Sequence, residues 1–255
     1  MAEALRTPSF RLDGRRALVT GAGRGIGLAA AHALAQAGAQ VTLVARSAAE
    51  LEIACARIRA DGGQAQAGVL DVTDSGAVAR FMAAQPAFHI LVNNAGTNRP
   101  SLITEMQDAD LDLVLGLNVK ATLFVTREVV RGMLAAGRGG SVITVSSQMG
   151  HVGGPKRSVY CATKHAVEGM TKSLAWELGP HAIRVNTICP TYIETAMTAG
   201  MLADPAFRAF AERGTALGRV GRLDEVMGAV VFLASDASTL VTGSALMVDG
   251  GWTAA

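Results

Sequence analysis

A chain of 255 residues is long for one domain but ordinary for an open α/β sheet, and with 50% hydrophobic and 17% charged residues it can bury a large aliphatic core. Its formal net charge of +2 is spread along the chain, so no basic footprint stands out and neither nucleic acid nor a membrane is expected as a partner. The opening "MAEALRTPSFRLDGRR" lacks an apolar core with a small-residue cleavage site, and no apolar run is long enough to span a bilayer; the expectation is a cytoplasmic protein.

From the first residues onward, short β-branched runs alternate with alanine-rich helical stretches. The runs are "ALVTG" (17–21), "VTLVAR" (41–46), "AGVLDV" (67–72), "ILVNNAG" (90–96), "SVITVSS" (141–147), "IRVNTICP" (183–190) and "SALMVDG" (244–250). Several are apolar on successive residues, as strands covered on both faces must be. Strands alternating with helices imply right-handed crossovers, so the expected fold is a single-domain, Rossmann-like, doubly wound α/β sheet of about seven parallel strands over 1–255, with 1–13 as an N-terminal extension. In such sheets ligands bind beyond the carboxyl ends of the strands, which directs attention to the residues after each run.

After the first run comes "TGAGRGIG", Thr20 to Gly27. Glycines at Gly21, Gly25 and Gly27 permit a sharp turn, close approach to a pyrophosphate, and a helix start whose amides and positive dipole end face the phosphates. The spacing is Gly-x-x-x-Gly-x-Gly, because Ile26 stands where the commoner dinucleotide pattern needs its last glycine, and no Gly-Lys-Ser/Thr follows that would make a P-loop. Further on, "SVYCATK" (158–164) puts Tyr160 four residues before Lys164, one helical turn apart on one face. A free tyrosine keeps its proton to about pH 10, and a neighbouring ammonium is expected to lower that value toward the working range. Cys55, Cys161 and Cys189 are widely spaced, with no CxxC pair and no histidine at ligand spacing, and read as reduced small hydrophobes; no metal is needed.

With these motifs in place the chain resembles the short-chain dehydrogenase/reductase family from residue 14 to the end, in particular its 3-oxoacyl-carrier-protein reductase-like members. The resemblance is carried by "TGAGRGIG", "LDVTD" (70–74), "NNAG" (93–96), Asn118 in "LNVK", Ser147 in "TVSSQMG", Tyr160 with Lys164, and "VDGGW". It implies an NAD(P)-dependent enzyme acting on CH–OH and C=O groups, in which Tyr160 is the general acid or base, Ser147 holds the substrate oxygen, Lys164 holds the nicotinamide ribose, and Asn118 keeps a water in a proton relay. It further implies adenine contacts at Asp71 and Val72, and a segment under the cofactor at Asn94, Ala95 and Gly96. Pro190, Ile193 and Thr195 occupy the positions that meet the nicotinamide carboxamide. The second strand ends in Ala45 and Arg46 where NAD-preferring relatives carry an acid; Arg46, with Arg24 from the other side, would pair with a 2′-phosphate, so NADP(H) is favoured, with NAD(H) the alternative.

One departure is Thr191 in "PTYIETAMT", where the family usually has glycine; threonine does not take positive φ readily, which puts the local loop geometry in question. The segment from Thr191 to about Gly214 resembles the substrate lid, with "PAFRAF" expected to cap an apolar ligand, and Gln148, Met149, His151, Tyr192 and Met197 expected around the pocket. Two substrate classes stay open, a 3-oxoacyl thioester and a small ketone, sugar or polyol; a dinucleotide sensor without activity is the alternative from another class. Ala162, Ala166, Gly169 and Ser173 step along a second face of the Tyr160 helix, and the resemblance makes that face a subunit contact of a homotetramer.

Overall fold

The computed structural model describes residues 6–254, so residues 1–5 of the expected N-terminal extension, and Ala255, lie outside the described residues. Seven parallel strands form one sheet: β1 (Arg16–Thr20), β2 (Gln40–Ala45), β3 (Gln64–Val69), β4 (Ile90–Asn93), β5 (Gly140–Val145), β6 (Ile183–Pro190) and β7 (Ala245–Val248), in the order β3-β2-β1-β4-β5-β6-β7. The helices are α1 (Gly25–Gln36), α2 (Ala48–Ala60), α3 (Ser75–Ala83), α4 (Asp108–Leu115), α5 (Thr122–Ala135), α6 (Ser158–Leu178), α7 (Ala199–Leu202), α8 (Pro205–Arg213) and α9 (Asp224–Ala234). No helix among the described residues is long and apolar enough to cross a membrane.

The unbroken apolar runs follow from two separate cores, one on each side of the sheet. Ala17, Val19, Ile90 and Val92 pack with Leu34, Leu51 and Leu233 on one face, while Leu18 and Leu91 between them pack with Val125, Val129 and Met133 on the other. Strand side chains alternate, so a central strand must be apolar at every position.

The third strand differs from expectation: it spans Gln64–Val69, not 67–72. It is an edge strand paired only with β2, so its outer residues are half polar, and Gln66 Nε2 donates to Thr42 Oγ1 at 2.8 Å. The apolar signal overshoots because Leu70 and Val72, in the loop beyond, are buried under the neighbouring core. Likewise Asn94 to Gly96, and Ser146 with Ser147, leave the sheet at the ends of β4 and β5. The sheet therefore releases its polar residues along one carboxyl edge.

Between α4 and α5 the chain makes a π-helical turn, Gly116–Ala121, which carries Asn118. Widening the turn there swings Asn118 inward, a local irregularity often met at functional sites. A cavity of about 620 Å³ lies at the amino-terminal ends of the strands among Arg15, His89, Arg138 and Arg184, on the edge opposite to the glycine turn.

Candidate active site

At the nucleotide end, Gly21 (φ 62) and Gly25 (φ 58) sit in the left-handed region that side chains avoid. A Cβ on Gly21 would stand 2.9 Å from Ala95 Cα, and one on Gly27 would fall on Asn94 Nδ2 and the Gly21 carbonyl. Asn94 in turn locks the turn, donating through Nδ2 to the Thr20 carbonyl at 3.0 Å and the Gly21 carbonyl at 3.1 Å, while Thr20 Oγ1 accepts from the Asn94 and Ala95 amides. The sequence segments around Gly21 and "NNAG" are thus one unit. Ser47, Asp74 and Asp204 cap α2, α3 and α8 with their side chains, but the start of α1 at Arg24 has no side-chain cap and no acid in its first turn. Its free amides and dipole end suit an anionic pyrophosphate, so the residues present fit a dinucleotide.

Around the adenosine end, Asp71 accepts from the Thr73 hydroxyl at 2.7 Å and the Thr73 amide at 2.9 Å, and these bonds hold its carboxyl below the usual range. Val72 beside it is buried, and Ile26 packs against the core behind the turn. Arg46 is exposed and makes no ion pair among the described residues. Arg24 departs from expectation: its Nη1 is bound to Glu50 Oε1 at 3.0 Å. Glu50 is the last residue of a Ser47-x-x-Glu50 capping pattern, and Ser47 Oγ does accept from the Glu50 amide at 3.2 Å. Its carboxylate reaches across to Arg24 instead of back to the cap, so an acid stands beside Arg24 that spacing alone did not reveal.

At the chemical end, Tyr160 and Lys164 rise from the first turns of α6, with Lys164 Nζ 5.4 Å from the Tyr160 ring centroid. Lys164 is buried, and Nζ donates to the Val145 carbonyl at 2.8 Å. Burial pulls its pKa down to about 8. The expected lowering of the tyrosine is overturned: the phenol end is enclosed, and burial pushes it up to about 12, with the Ser147 hydroxyl and then Arg157 acting in the opposite direction. At this separation the ammonium does not offset desolvation, and the phenol keeps its proton throughout the neutral range.

Ser147 lies by the phenol, while Ser146, on the opposite face of the chain, points toward α6 near the position of Gly150 and Glu168. Asn118 accepts from the Thr97 amide at 2.9 Å and donates to the Thr97 carbonyl at 3.0 Å and to Thr163 Oγ1 at 3.1 Å. It therefore ties the loop after β4 to the helix of Tyr160 and Lys164. Gly96 passes so close that a Cβ there would stand 3.2 Å from Asn118 Oδ1.

Pro190 ends β6, and Thr191 continues without positive φ, its amide donating to the Val248 carbonyl at 3.3 Å, so the family glycine is not required for this turn. Ile193 is buried against Gly221, and Thr195, bonded to Thr198, faces the glycine turn: a Cβ on Gly25 would lie 4.0 Å from Thr195 Cβ. The phenylalanines of "PAFRAF" do not face an open pocket as expected. Phe207 packs on Tyr192 at 5.3 Å and Phe210 on Trp252 at 5.7 Å, forming the lid's own small core. Gln148 and Met149 are buried, Tyr192 is half-buried and Met197 is exposed.

No histidine stands at ligand spacing from a cysteine along the chain, but folding brings one to Cys189. His151 Nε2 lies 3.5 Å from Cys189 Sγ, which is 3.3 Å from Glu168 Oε1, and Thr187 Oγ1 donates to the other carboxylate oxygen at 3.0 Å. The three groups come from β6, α6 and the loop after β5, so spacing along the chain could not join them. Burial pushes the Cys189 thiol up to about 12, which leaves it an unreactive thiol within that cluster. Arg157 and Glu168 were likewise passed over; the only available signal was their helical spacing from Tyr160 and Lys164.

A Rossmann-like sheet with an uncapped glycine turn at one end of its carboxyl edge and a Ser-Tyr-Lys constellation at the other defines a dinucleotide-dependent oxidoreductase site. A family model described as enoyl-(acyl carrier protein) reductase matches residues 21–253. Gluconate 5-dehydrogenase of Gluconobacter oxydans is 42% identical over 248 residues, covering 96% of each chain. D-erythrulose reductase of Gallus gallus is 40% identical over 245 residues, covering 96% of this chain and 98% of its own. The crystal structure of a gluconate 5-dehydrogenase from Burkholderia cenocepacia in complex with NADP and tartrate superposes with a TM-score of 0.93 at 38% identity, over 96% of this chain and 98% of that one. The chain belongs to the short-chain dehydrogenase/reductase family. It is an oxidoreductase of carbonyl and alcohol groups.

Proposed function

We propose that this chain interconverts a ketone and a secondary alcohol on a small polyhydroxylated substrate, a sugar or polyol derivative, with NADP(H) as the favoured dinucleotide. The observation that carries the reading is the convergence of Tyr160 with Lys164, whose Nζ lies 5.4 Å from the centroid of the phenol ring, and with Ser147 beside it. The dinucleotide, bound along the glycine turn through Gly21, Gly25 and Gly27, supplies or accepts the hydride. In reduction, Tyr160 gives its proton to the carbonyl oxygen as charge develops there, and Ser147 donates a hydrogen bond to the same oxygen. Lys164 orients the ribose, and Asn118 keeps the loop after β4 and α6 in register and so holds the proton path behind Lys164. The substrate class is favoured over an oxoacyl thioester by buried polar atoms without partners at Gln148 Oε1 and Thr191 Oγ1, which suit a hydroxylated ligand more than an acyl chain, and by the sugar-directed names of the relatives.

The segment 191–214 acts as the lid of a single catalytic domain. Three free cysteines suit a reducing cytoplasm. Ala162, Ala166, Gly169 and Ser173 are exposed in the single chain, with Trp176 at 88% and Leu123 at 44% exposure nearby on α6 and α5, which favours assembly through these helices into a homotetramer. Gly169→Trp is expected to lower the mass seen by light scattering.

A turnover screen of ketoses, polyols and 3-oxoacyl thioesters with NADPH and NADH tests the activity, and Tyr160→Phe tests the mechanism. The variant should fold and bind dinucleotide while kcat falls by about 10²–10⁴. Turnover at the wild-type rate would exclude Tyr160 as the proton donor.

A further inference from the structure

We infer that Arg157 is a carboxylate-binding residue of the substrate site, so that the substrate is a sugar acid, a polyhydroxylated carboxylate, and not a neutral ketose; this deepens the proposed function and rests on it. Arg157 is three residues before Tyr160, at the start of the same helix, and is 7% exposed. A guanidinium carries five N–H donors. Those of Arg157 find the carbonyl of the adjacent Lys156 at 3.3 Å and the thioether sulfur of Met201 at 3.2 Å. No carboxylate lies within ion-pair distance of it among the described residues.

Arg184 provides an internal contrast. It is also largely enclosed, and its guanidinium is met by the carbonyls of Leu233 (2.8 Å), Ser235 (3.2 Å) and Val241 (3.5 Å) and by Ser238 Oγ (2.8 Å). Around the lid, Arg208 pairs with Glu194, Arg219 with Glu225 and Arg222 with Asp224, while Arg213 is exposed to solvent. Arg157 alone of these is enclosed with one weak backbone acceptor and a thioether, which is the poorest acceptor a protein offers. An enclosed cation left in that state is destabilising unless an anion completes it.

The place of the guanidinium identifies that anion as part of the substrate. Arg157 stands three residues before Tyr160, in the catalytic group, and its charge acts on the phenols of both Tyr160 and Tyr192, at the root of the lid, so it lies near the two. The Met201 sulfur that touches it belongs to α7 of the lid. Lys156 just before it holds φ 60, a strained conformation for a residue with a side chain, and its carbonyl is tied by the Ser101 amide at 3.2 Å. A planar fork matches a carboxylate bidentately, and with no second cation paired to the same spot a monoanion is the better fit than a phosphate dianion. A substrate carboxylate would take the place of the thioether on the guanidinium. The hydride then adds to the carbonyl carbon, the proton of Tyr160 goes to its oxygen, the dinucleotide leaves oxidised, and the carboxylate is unchanged.

The test compares 5-keto-D-gluconate with L-sorbose, in which a hydroxymethyl group replaces the carboxylate, using the full chain and NADPH. Wild type should favour the keto acid in kcat/KM by about 100-fold, and Arg157→Gln should remove about that factor, mostly through KM, while leaving L-sorbose within about threefold. Arg157→Lys should retain part of the preference. Met201→Glu places a carboxylate of the chain itself beside the guanidinium and should raise KM for the keto acid alone, which guards against poor folding of the arginine variants. L-sorbose turned over as well as the keto acid, or Arg157→Gln lowering both in equal proportion, overturns the inference and leaves the proposed activity standing. Should wild type reduce no ketone at all, the proposed function fails, and calorimetric binding of D-gluconate to the NADP-loaded protein decides this point separately: binding lost in Arg157→Gln upholds the carboxylate site, and no binding by wild type removes it.

Discussion

The two ends of the carboxyl edge are built from different materials. After β1 to β4 the site consists of backbone: glycines at positive φ, an uncapped helix start, and an asparagine that bonds carbonyls of the turn. After β5 and β6 it consists of ionisable side chains, Lys164, Glu168 and Arg157 buried and Tyr160 half-buried. A backbone cradle is damaged by adding an atom, because it works through close approach. A cluster of enclosed ionisable groups loses its chemistry when one is removed, even where the fold gains by shedding a desolvated charge.

The contrast breaks first at Gly27. Gly27→Ala drives a Cβ into Asn94 Nδ2 and the Gly21 carbonyl, atoms that cannot retreat without opening the turn. We expect KM for NADPH to rise about tenfold or more and the melting temperature to fall, a substitution penalty of about 1–3 kcal/mol. An unchanged KM would mean that the turn does not hold the pyrophosphate.

The adenosine end offers a sharper test, since there the backbone site borrows side-chain charge. Arg46→Ala should raise KM for NADPH by about tenfold and leave NADH nearly unaffected, corresponding to about 1.4 kcal/mol of phosphate binding. Glu50→Gln removes the acid that holds Arg24 at 3.0 Å. Freed, Arg24 should increase the preference for NADPH by a few-fold, the scale of an exposed ion pair of less than about 1 kcal/mol. If the preference instead shifts toward NADH, Arg24 does not reach the 2′-phosphate.

The smallest effect concerns stability at the substrate end. The Lys164 pKa is lowered from 10.5 to about 8, so below pH 8 the lysine is charged in both folded and unfolded chains and the fold carries the full desolvation penalty. Between about pH 8 and 10.5 the unfolded chain binds more protons, and the penalty disappears as pH rises. Lys164→Met should therefore melt a few degrees higher than wild type at pH 7, for a relief of about 1–3 kcal/mol, with the gap closing by pH 10.5, while activity is lost. An equal or lower melting temperature at pH 7 would show that the bond to the Val145 carbonyl outweighs burial. The same enclosure makes reduction nearly flat over neutral pH, because Tyr160 stays protonated.

The parts that were legible in the chain are the contiguous ones: at the backbone end Gly21, Gly25 and Gly27 lie within one turn, and at the other end Tyr160 and Lys164 lie within one turn of helix. The ion pair of Arg24 with Glu50 was not, since it joins residues 26 apart whose helices meet only in the folded sheet. His151, Glu168 and Cys189 converge across 38 residues for the same reason. The lowered tyrosine pKa expected from spacing failed because i,i+4 proximity counts attraction and omits desolvation, which depends on everything packed around the phenol.

Alternation of apolar strands and helices, read from residue order alone, determined the sheet, its parallel sense and the edge on which chemistry would lie, because hydrophobic periodicity is a local property of the chain. Tertiary structure decided which charges were left alone. Arg157 and Arg184 are both enclosed arginines on the same chain, and only the packing of distant elements gives Arg184 four acceptors while Arg157 has the Lys156 carbonyl and the Met201 thioether. Solvation and pairing are sums over neighbours in space, and the order of residues does not contain them.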